Sequence, residues 1–550
     1  MFVKVLCLCI LTLNGCVLGN RFKVTETWVD TTFGKVQGLT TERYAMFVDI
    51  PYGIVNESNP FGNAHPYIQT TDSELINRGL RVCPQHDKGM IVGKIQCLQL
   101  HIYKPNVITP GDTLPVMVYI HGFDFSKGTA TRLMFKPDYL VRHNVILVTV
   151  DYRLGPYGHL CLPYTEYNNQ ALKDQNLALQ WIKKHIGSFG GDSNNILLFG
   201  QDSGSVSVEY HLLYSKEILF SKVILQSGVV SSTFWNQGTD VKTFVKDVGL
   251  DSENIDVEHF IKTISAIDTD TVINITKFYN FRPCIDGEFI TDTRKMRNLQ
   301  NIKVMIGGTS KEMLYYYPTE DRYDNFDIVA ELNQSFSISK MADYTDAIDE
   351  VKHFYLEGLK VNIVDLTSDL AFNYPMDLTI KFFVQNKVPV YRYLFSYDGN
   401  RNYIKKRMNV ASAGSIHGDE LGYLFVMPSL KSDSSKTNEE DQIVTDRMSL
   451  MWTNFAKYGD PTPHSSKLLP VKWLPITTGA EHYLQIDSKL HLHSGRPFEE
   501  RLAFWDQFYE KYGEYAKGMI LGEEVVENGG CGVEFRKVLL LVIGVLLVWL

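Results

Sequence analysis

The sequence lacks an excess of positive charge. Its 550 residues carry 54 Lys and Arg against 63 Asp and Glu, which gives a formal net charge of −9. This acidic balance argues against a nucleic-acid partner, because such a partner requires a basic surface. The sequence also lacks internal repeats and any linker that would separate domains, and 44% of its residues are hydrophobic. A chain of this length and composition can bury a large core as one unit.

No apolar stretch at the C-terminus is long enough to span a membrane. Residues 538–550 form an apolar run of 13 residues, whereas a transmembrane helix needs about 20. The small residues Asn528-Gly529-Gly530 and a polar spacer with Arg536 and Lys537 precede this run. This layout is typical of a glycosylphosphatidylinositol (GPI) signal, so residues 528–550 are predicted to be such a signal, in which the apolar tail is removed and a lipid is attached at Asn528. A short tail anchor and an uncleaved apolar end are the alternatives.

The N-terminus has the pattern of a secretory signal peptide. Lys4 precedes the apolar residues 5–13, and Val17-Leu18-Gly19 forms a plausible cleavage site. We therefore predict a signal peptide over residues 1–19, with a buried N-terminal helix as the alternative. In a secreted chain three Asn-x-Ser/Thr sequons are usable for glycosylation; their asparagines are Asn56, Asn274 and Asn333.

Cysteine is scarce, with eight residues in the chain, of which three lie in the predicted signal peptide. Cys83 and Cys97 are close in sequence and are predicted to form a disulfide in an oxidising compartment. Cys161 and Cys284 each lie in an apolar stretch, so we expect them to be buried free thiols.

Apolar runs of strand length alternate with segments of helical periodicity. These runs lack the alternation of half-exposed strands, which indicates parallel strands covered on both faces. The pattern predicts an α/β fold with a large, mostly parallel sheet and helices on both faces. An N-terminal hairpin is expected at residues 29–38 and an exposed loop at residues 431–441. The expected strands are 116–120, 145–150, 196–199, 222–228, 304–307 and 388–395, and the expected helices are 174–186 and 206–214.

A strand, a tight turn and a helix meet at Gly200-Gln201-Asp202-Ser203-Gly204. This is the pattern of a nucleophile elbow, in which glycines two before and two after the central residue prevent collisions in a strained turn. The central residue here is Asp202 and not a serine. Ser203 does not fit the pattern, because residues 201 and 205 on either side of it are not glycine.

Several stretches in a fixed order resemble the type-B carboxylesterase/cholinesterase family over nearly the whole mature chain. The resemblance implies an α/β-hydrolase fold for residues 20–527. Gln201 is a feature shared with insect juvenile hormone esterases. The matching stretches are Gln96-Cys97-Leu98, Tyr119-Ile120-His121-Gly122, Asp151-Tyr152-Arg153-Leu154-Gly155-Pro156, Asp174-Gln175-Asn176-Leu177-Ala178-Leu179, Phe189-Gly190-Gly191-Asp192, residues 220–228 and residues 452–461.

The resemblance implies a nucleophile, an acid and a base in that order along the chain. It puts Asp202 at the nucleophile position, Glu312 at the acid position and His417 at the base position. A lone Glu or His is more often structural, so the assignment depends on the matched surroundings. The implied oxyanion-hole positions are Phe123, Asp124 and Ser203. The family has glycine at the first two, and without it we expect the backbone to lose the donor geometry.

These features, together with the resemblance, predict a secreted or cell-surface protein of the carboxylesterase family that lacks ordinary serine esterase activity and acts by binding. The expected partner is a small apolar ester-like ligand or a cell-surface protein, with membrane attachment through a lipid anchor and with no metal or cofactor. The alternative is a hydrolase with residual activity or with Asp202 as nucleophile. A choline site is excluded, because residues 84–96 between Cys83 and Cys97 contain no Phe, Tyr or Trp for cation–π capture.

Overall fold

The computed structural model of the chain describes residues 24–68, 74–75, 81–162, 165–235, 238–291, 299, 301–318, 326–357, 360–427 and 438–517. The predicted signal peptide, the lipid position at Asn528 and the C-terminal apolar run lie outside these residues.

Nineteen β-strands occur in the described residues. They are β1 Thr25–Thr31, β2 Gly34–Thr40, β3 Tyr44–Pro51, β4 Gly53–Ile54, β5 His65–Pro66, β6 Glu74–Leu75, β7 Gln85–Asp87, β8 Met90–Val92, β9 Gln99–Pro105, β10 Leu114–Ile120, β11 Ile146–Val150, β12 Gly191–Gln201, β13 Lys222–Gln226, β14 Lys303–Thr309, β15 Leu356–Glu357, β16 Lys360–Val361, β17 Val390–Phe395, β18 His482–Ile486 and β19 Leu490–Ser494.

Fourteen α-helices lie between and around the strands in the same part of the chain. They are α1 Asp138–Val141, α2 Gly155–His159, α3 Gln170–His185, α4 Ser203–Tyr214, α5 Val241–Asp247, α6 Val257–Ala266, α7 Thr269–Ile275, α8 Ile328–Ser335, α9 Tyr344–Phe354, α10 Ile363–Ser368, α11 Tyr374–Gln385, α12 Tyr403–Arg407, α13 Glu439–Tyr458 and α14 Glu499–Tyr512. None of these helices is long and apolar enough to cross a bilayer.

One large sheet of 13 strands organises the molecule. Its continuous order is β1-β2-β3-β9-β11-β10-β12-β13-β14-β17-β18-β19, and β6 pairs with β2. From β11 to β18 along this path the strands run parallel to one another. At the two ends, β1, β2, β3, β9 and β19 pair antiparallel with their neighbours. The carboxyl ends of the parallel strands therefore meet at one edge, where open α/β sheets bind their ligands.

Both faces of the sheet are covered by packed side chains. Along β10, Val116, Val118 and Ile120 enter one core cluster, while Met117 and Tyr119 enter another. Helices α3, α4 and α11 contribute side chains to the first cluster, and α1 and α13 contribute to the second. This two-sided burial explains why the central strands read as continuous apolar runs. The predicted sheet with helices on both faces is confirmed, and so is the N-terminal hairpin of β1 and β2.

The predicted loop at residues 431–441 is wrong at its end. Residues 431–437 lie outside the described part of the chain, but Glu439–Asp441 form the first turn of α13. The Asn438 side chain accepts from the Asp441 amide at 2.7 Å, and the Asp441 side chain accepts from the Asn438 amide at 3.2 Å. This capping box starts the helix, and acidic side chains are favourable at its positive end.

Two disulfides join the four described cysteines. Cys83 and Cys97 are bonded with Cα atoms 5.1 Å apart, as predicted. Cys161 and Cys284 are also bonded, with Cα atoms 6.2 Å apart, so the prediction of free thiols is wrong. The apolar residues around each cysteine did not indicate this disulfide, because 123 residues separate the two cysteines and only the fold brings them together.

The three predicted glycosylation sites are all exposed. Asn56 lies in a loop, Asn274 in α7 and Asn333 in α8. Exposure permits modification, and glycosylation at each site stays a prediction.

We expect peptide mapping under non-reducing conditions to recover Cys161 linked to Cys284, alongside Cys83 linked to Cys97. Alkylation before reduction should label none of these four thiols, since all are bonded. As a control, the same digest after reduction should label all four. Alkylated Cys161 or Cys284 in the unreduced, folded protein would contradict the pairing.

Candidate functional site

The centre of the site is the turn between β12 and α4. Asp202 has a φ of 62°, a left-handed conformation that costs free energy for a residue with a side chain. A Cβ on Gly200 would lie 2.4 Å from the Gly204 carbonyl carbon, and one on Gly204 would lie 2.2 Å from the Ile120 oxygen. Only glycine fits at both positions, so the spacing read from the sequence is what the turn requires.

One oxygen of Asp202 is held by backbone amides of the loop after β10. Its Oδ2 accepts from the Phe123 amide at 2.6 Å and from the Asp124 amide at 2.7 Å. Asp202 also lies at the N-terminus of α4, where the helix dipole favours negative charge. The two amides together form a site for a negatively charged oxygen, and the Asp202 carboxylate fills it.

The other oxygen of Asp202 faces His417. Oδ1 lies 3.1 Å from His417 Nε2. The side-chain amide of Gln201 lies 2.9 Å from the same ring nitrogen. On the opposite side of the ring, His417 Nδ1 lies 2.7 Å from Glu312 Oε2. The structure thus brings Asp202, His417 and Glu312 into one chain of contacts, although more than a hundred residues separate each from the next.

Glu312 is oriented by a buried set of donors. It begins the 3₁₀ turn Glu312–Tyr315 just after β14 and is fully buried. Its Oε1 accepts from the Thr309 amide and from the Ser227 hydroxyl, each at 2.6 Å. These bonds leave Oε2 free to accept from His417, which fixes the ring orientation.

The charges of the centre support each other. Burial alone lowers the pKa of His417, but hydrogen bonds and opposite charges from Asp202 and Glu312 outweigh it and raise this pKa to about 10. Burial alone raises the pKa of Asp202, but His417 and the amides of Asp124 and Ser203 outweigh it and hold this pKa below its ordinary value. At neutral pH the ring is therefore an imidazolium between two carboxylates.

The expectation that the loop without glycine loses its donors is wrong. Phe123, Asp124 and Phe125 have φ values of 79°, 61° and 57°, and in this left-handed conformation the first two amides converge on one oxygen. Left-handed residues with side chains cost about 1–3 kcal/mol each. Charge-assisted bonds to Asp202 offset part of this cost, and the Phe125 amide donates to Ser203 Oγ at 3.0 Å.

Arg282 holds the same loop from the other side. Its guanidinium forms an ion pair with Asp124 at 2.6 Å and donates to the Asp124 carbonyl oxygen at 3.1 Å. Its guanidinium carbon also lies 5.8 Å from the ring centres of Phe125 and Trp235. The negative charge of Asp124 is therefore balanced in part by Arg282.

Aromatic side chains surround the exposed edge of His417. The ring centres of Tyr315 and Phe372 lie 5.4 Å and 5.0 Å from the imidazole centre. The side chains of Asp202 and His417 are each 11% exposed, so the centre opens narrowly to solvent. The surroundings are suited to an apolar ligand next to a charged centre.

Sequence reasoning missed three contributors to this centre. Gln201 was noted only as a family feature, and its contact with His417 follows from its place beside Asp202. Ser227 directly follows β13, and nothing in the Ser227-Gly228 sequence indicated its hydrogen bond to Glu312. Arg282 lies 158 residues from Asp124, and no sequence pattern links the two. Within the described residues no group of three or more His, Cys, Asp or Glu side chains could hold a metal ion.

Comparisons with known proteins show the family of the chain. The model described as "Carboxylesterase family" matches residues 25–505. The bile salt-activated lipase of Rattus norvegicus is 29% identical over 467 residues, covering 76% of this chain and 74% of the lipase. The juvenile hormone esterase of Tribolium castaneum is 29% identical over 430 residues, covering 68% of this chain and 72% of the esterase.

A solved structure shares the fold. The crystal structure of the juvenile hormone esterase from Manduca sexta, with OTFP covalently attached, aligns with a TM-score of 0.73 and 25% identity. The alignment covers 88% of this chain and 100% of the solved chain. The large, mostly parallel sheet with helices is thus the α/β-hydrolase fold, as predicted.

The raised pKa of His417 predicts that the free energy of unfolding depends on pH. A pKa raised from 6.5 to about 10 contributes stability that is complete below pH 6.5 and is lost as the pH rises through about 10. In urea titrations from pH 7 to 10, the free energy of unfolding should fall by up to about 1.4 kcal/mol per pH unit. Asp202→Asn should flatten this slope, because it removes one of the charges that raise the pKa.

The matched control is Asp369→Asn. Asp369 is a fully buried carboxylate that pairs with Arg501 and Tyr355, whereas the ion pairs of His417 are with Asp202 and Glu312. This variant should be less stable at every pH and should keep the native slope. A native protein whose free energy of unfolding does not fall over this pH range would contradict a protonated His417. Equal slopes in the native protein and Asp202→Asn would contradict the role of Asp202 in raising its pKa.

Proposed function

The chain belongs to the carboxylesterase family, and we propose that it is a member that binds its target without hydrolysing esters. The position of Asp202 Oδ2 between the amides of Phe123 and Asp124 carries this proposal. During ester hydrolysis such amides must bind the carbonyl oxygen as it gains negative charge. A carboxylate that already occupies both donors excludes the ester carbonyl from them.

The chemistry of a carboxylate supports the same proposal. If Asp202 attacked an ester, the tetrahedral intermediate would expel the carboxylate in preference to the poorer alkoxide leaving group, so the ester would re-form. Ser203 offers no replacement, because it is fully buried and its Oγ accepts from the Phe125 amide. Neither residue at the turn can therefore act as an ester-cleaving nucleophile.

The proposed target is a small apolar ester-like ligand beside Tyr315 and Phe372, or a protein at a cell surface. Relatives named as a lipase and as esterases support an ester-like ligand. Two disulfides support folding in the secretory pathway, where such bonds form and persist. A signal peptide over residues 1–19, glycosylation at the three sequons and a lipid at Asn528 remain part of this proposal.

Equilibrium dialysis with an apolar ester such as methyl decanoate separates the two targets. Saturable retention with recovery of intact ester supports the ligand, and absence of retention favours the protein partner. Release of decanoic acid would argue against the proposal as a whole.

Installing a serine should convert the site. We expect the native protein to resist a fluorophosphonate probe, and Asp202→Ser to be labelled and to hydrolyse p-nitrophenyl butyrate. The Arg282 contact and the Phe125–Ser203 bond still hold the loop when the Asp202 carboxylate is removed. The His417–Glu312 pair is also in place. Labelling of the native protein, or an unlabelled but folded Asp202→Ser, would contradict this account.

A second substitution tests the loop. Adding Arg282→Ala to Asp202→Ser should lower hydrolysis by roughly 10²-fold, the cost of losing an oxyanion donor, because Arg282 anchors the Asp124 backbone. The control adds Arg142→Ala instead. It removes a surface ion pair with Asp446 and hydrogen bonds to Tyr139 and Ser449, none of which involves the loop, and it should leave the rate unchanged.

A second candidate function is nucleophilic displacement of a leaving group from a saturated carbon. It is favoured by the different surroundings of the two Asp202 oxygens, because Oδ2 is bound by two amides and Oδ1 faces His417. Oδ1 could attack an alkyl halide carbon, releasing halide and forming an ester whose carbonyl oxygen is Oδ2. The two amides would then stabilise that oxygen when water attacks the ester. Against this, the lowered pKa of Asp202 and its bond to His417 make the carboxylate a weak nucleophile.

Mass spectrometry separates the two candidates. His417→Gln removes the group that would activate water, so any ester formed on Asp202 would persist in this variant. After incubation with 1-chlorohexane we expect no hexyl adduct on Asp202, either in the native protein or in His417→Gln. An adduct in His417→Gln that is absent from the double variant with Asp202→Asn would establish the alkyl-transfer function instead.

A further inference from the structure

A cavity lies beside the loop of Phe123, Asp124 and Phe125, and its lining residues His159 and Arg282 contact this loop. Its volume is about 240 Å³. His159, Phe281 and Arg282 form a buried floor, while Asp240 and Asn280 lie exposed at the rim. The cavity thus has an opening and a closed end, and it is large enough for a single-ring compound.

His159 is the unsatisfied polar group of this floor. It is 2% exposed, and neither ring nitrogen has a hydrogen-bond partner among the described residues. Burial and the nearby charge of Arg282 lower the pKa of His159 to about 3, so the ring is neutral. A neutral imidazole offers one N–H donor and one lone pair, and leaving both unpaired in a buried site costs free energy.

The other groups of the cavity define what can bind. Arg282 is already engaged by Asp124 and by the Phe281 carbonyl oxygen, so its charge is compensated. The walls are largely apolar, with Leu160, Phe244 and Tyr279 and the Cys161–Cys284 disulfide. An ionic ligand finds no free counter-charge on the floor, whereas a hydroxyl group can either donate to the unprotonated ring nitrogen of His159 or accept from its N–H.

We propose that this cavity is a second ligand site, which binds small uncharged molecules that carry a hydroxyl group on an aromatic or apolar body. His159 is the group that recognises the hydroxyl, and the apolar walls hold the remainder of the ligand.

The site shares its floor with the loop that holds Asp202. The rings of His159 and Phe125 meet edge to face with centres 4.6 Å apart, and Arg282 contacts both the cavity and the Asp124 backbone. A ligand that fixes His159 and Arg282 therefore also restrains this strained loop. Occupancy is expected to stabilise the folded protein as a whole.

Calorimetric titration of the full native protein with phenol tests the proposal, with toluene as the probe of similar shape that has a methyl group in place of the hydroxyl. Phenol should bind saturably, and toluene should bind roughly tenfold or more weakly. His159→Phe keeps an aromatic ring against Phe125 and should lose phenol affinity by a similar factor. The matched control is His185→Phe, a histidine that packs on Phe33 and Trp181 in α3 and should bind phenol like the native protein.

Thermal unfolding gives a second readout. Phenol should raise the Tm of the native protein and of His185→Phe, and should leave the Tm of His159→Phe unchanged. Without phenol, His159→Phe should be at least as stable as the native protein, because the imidazole nitrogens it removes are unpaired. Absence of saturable phenol binding, equal affinity for toluene, or full phenol affinity in folded His159→Phe would each overturn the site.

Discussion

The bond between the Asp202 carboxylate and the amides of Phe123 and Asp124 is the interaction on which the site depends. It places a full negative charge where a hydrolase stabilises only a transient one. The same carboxylate keeps His417 protonated from its other oxygen. One side chain thereby contributes both to the loop conformation and to the positive charge of the ring.

The surroundings explain why the fold tolerates this buried charge. The amino end of α4 and three backbone amides face the carboxylate, and His417 supplies a positive charge. A buried carboxylate is costly unless it is paired and hydrogen-bonded, and here it is both. An oxyanion-binding site is thus already suited to hold a permanent anion, provided that the anion comes from the turn itself.

Sequence reasoning located the parts that local spacing encodes. The glycines around Asp202 and the family surroundings of Glu312 and His417 were sufficient to predict that the chain could bring them together. The disulfide of Cys161 and Cys284 could not be predicted in this way, since it depends on two segments that meet only in the folded chain. The start of α13 was missed because its acidic capping residues were read as a loop.

The loop of Phe123, Asp124 and Phe125 was misjudged for a different reason. Residues with side chains have a low intrinsic propensity for left-handed backbone conformations, and this rule is correct for an isolated loop. In the folded chain Asp202 and Arg282 supply the bonds that offset the strain. From sequence, the missing glycines and the aspartate at the elbow look like two independent changes. In the structure they are coupled, because the carboxylate at position 202 stabilises the loop conformation that glycine would otherwise permit. The loop is therefore held by side-chain contacts on both of its sides, and a change at Arg282 reaches the elbow through the Asp124 backbone.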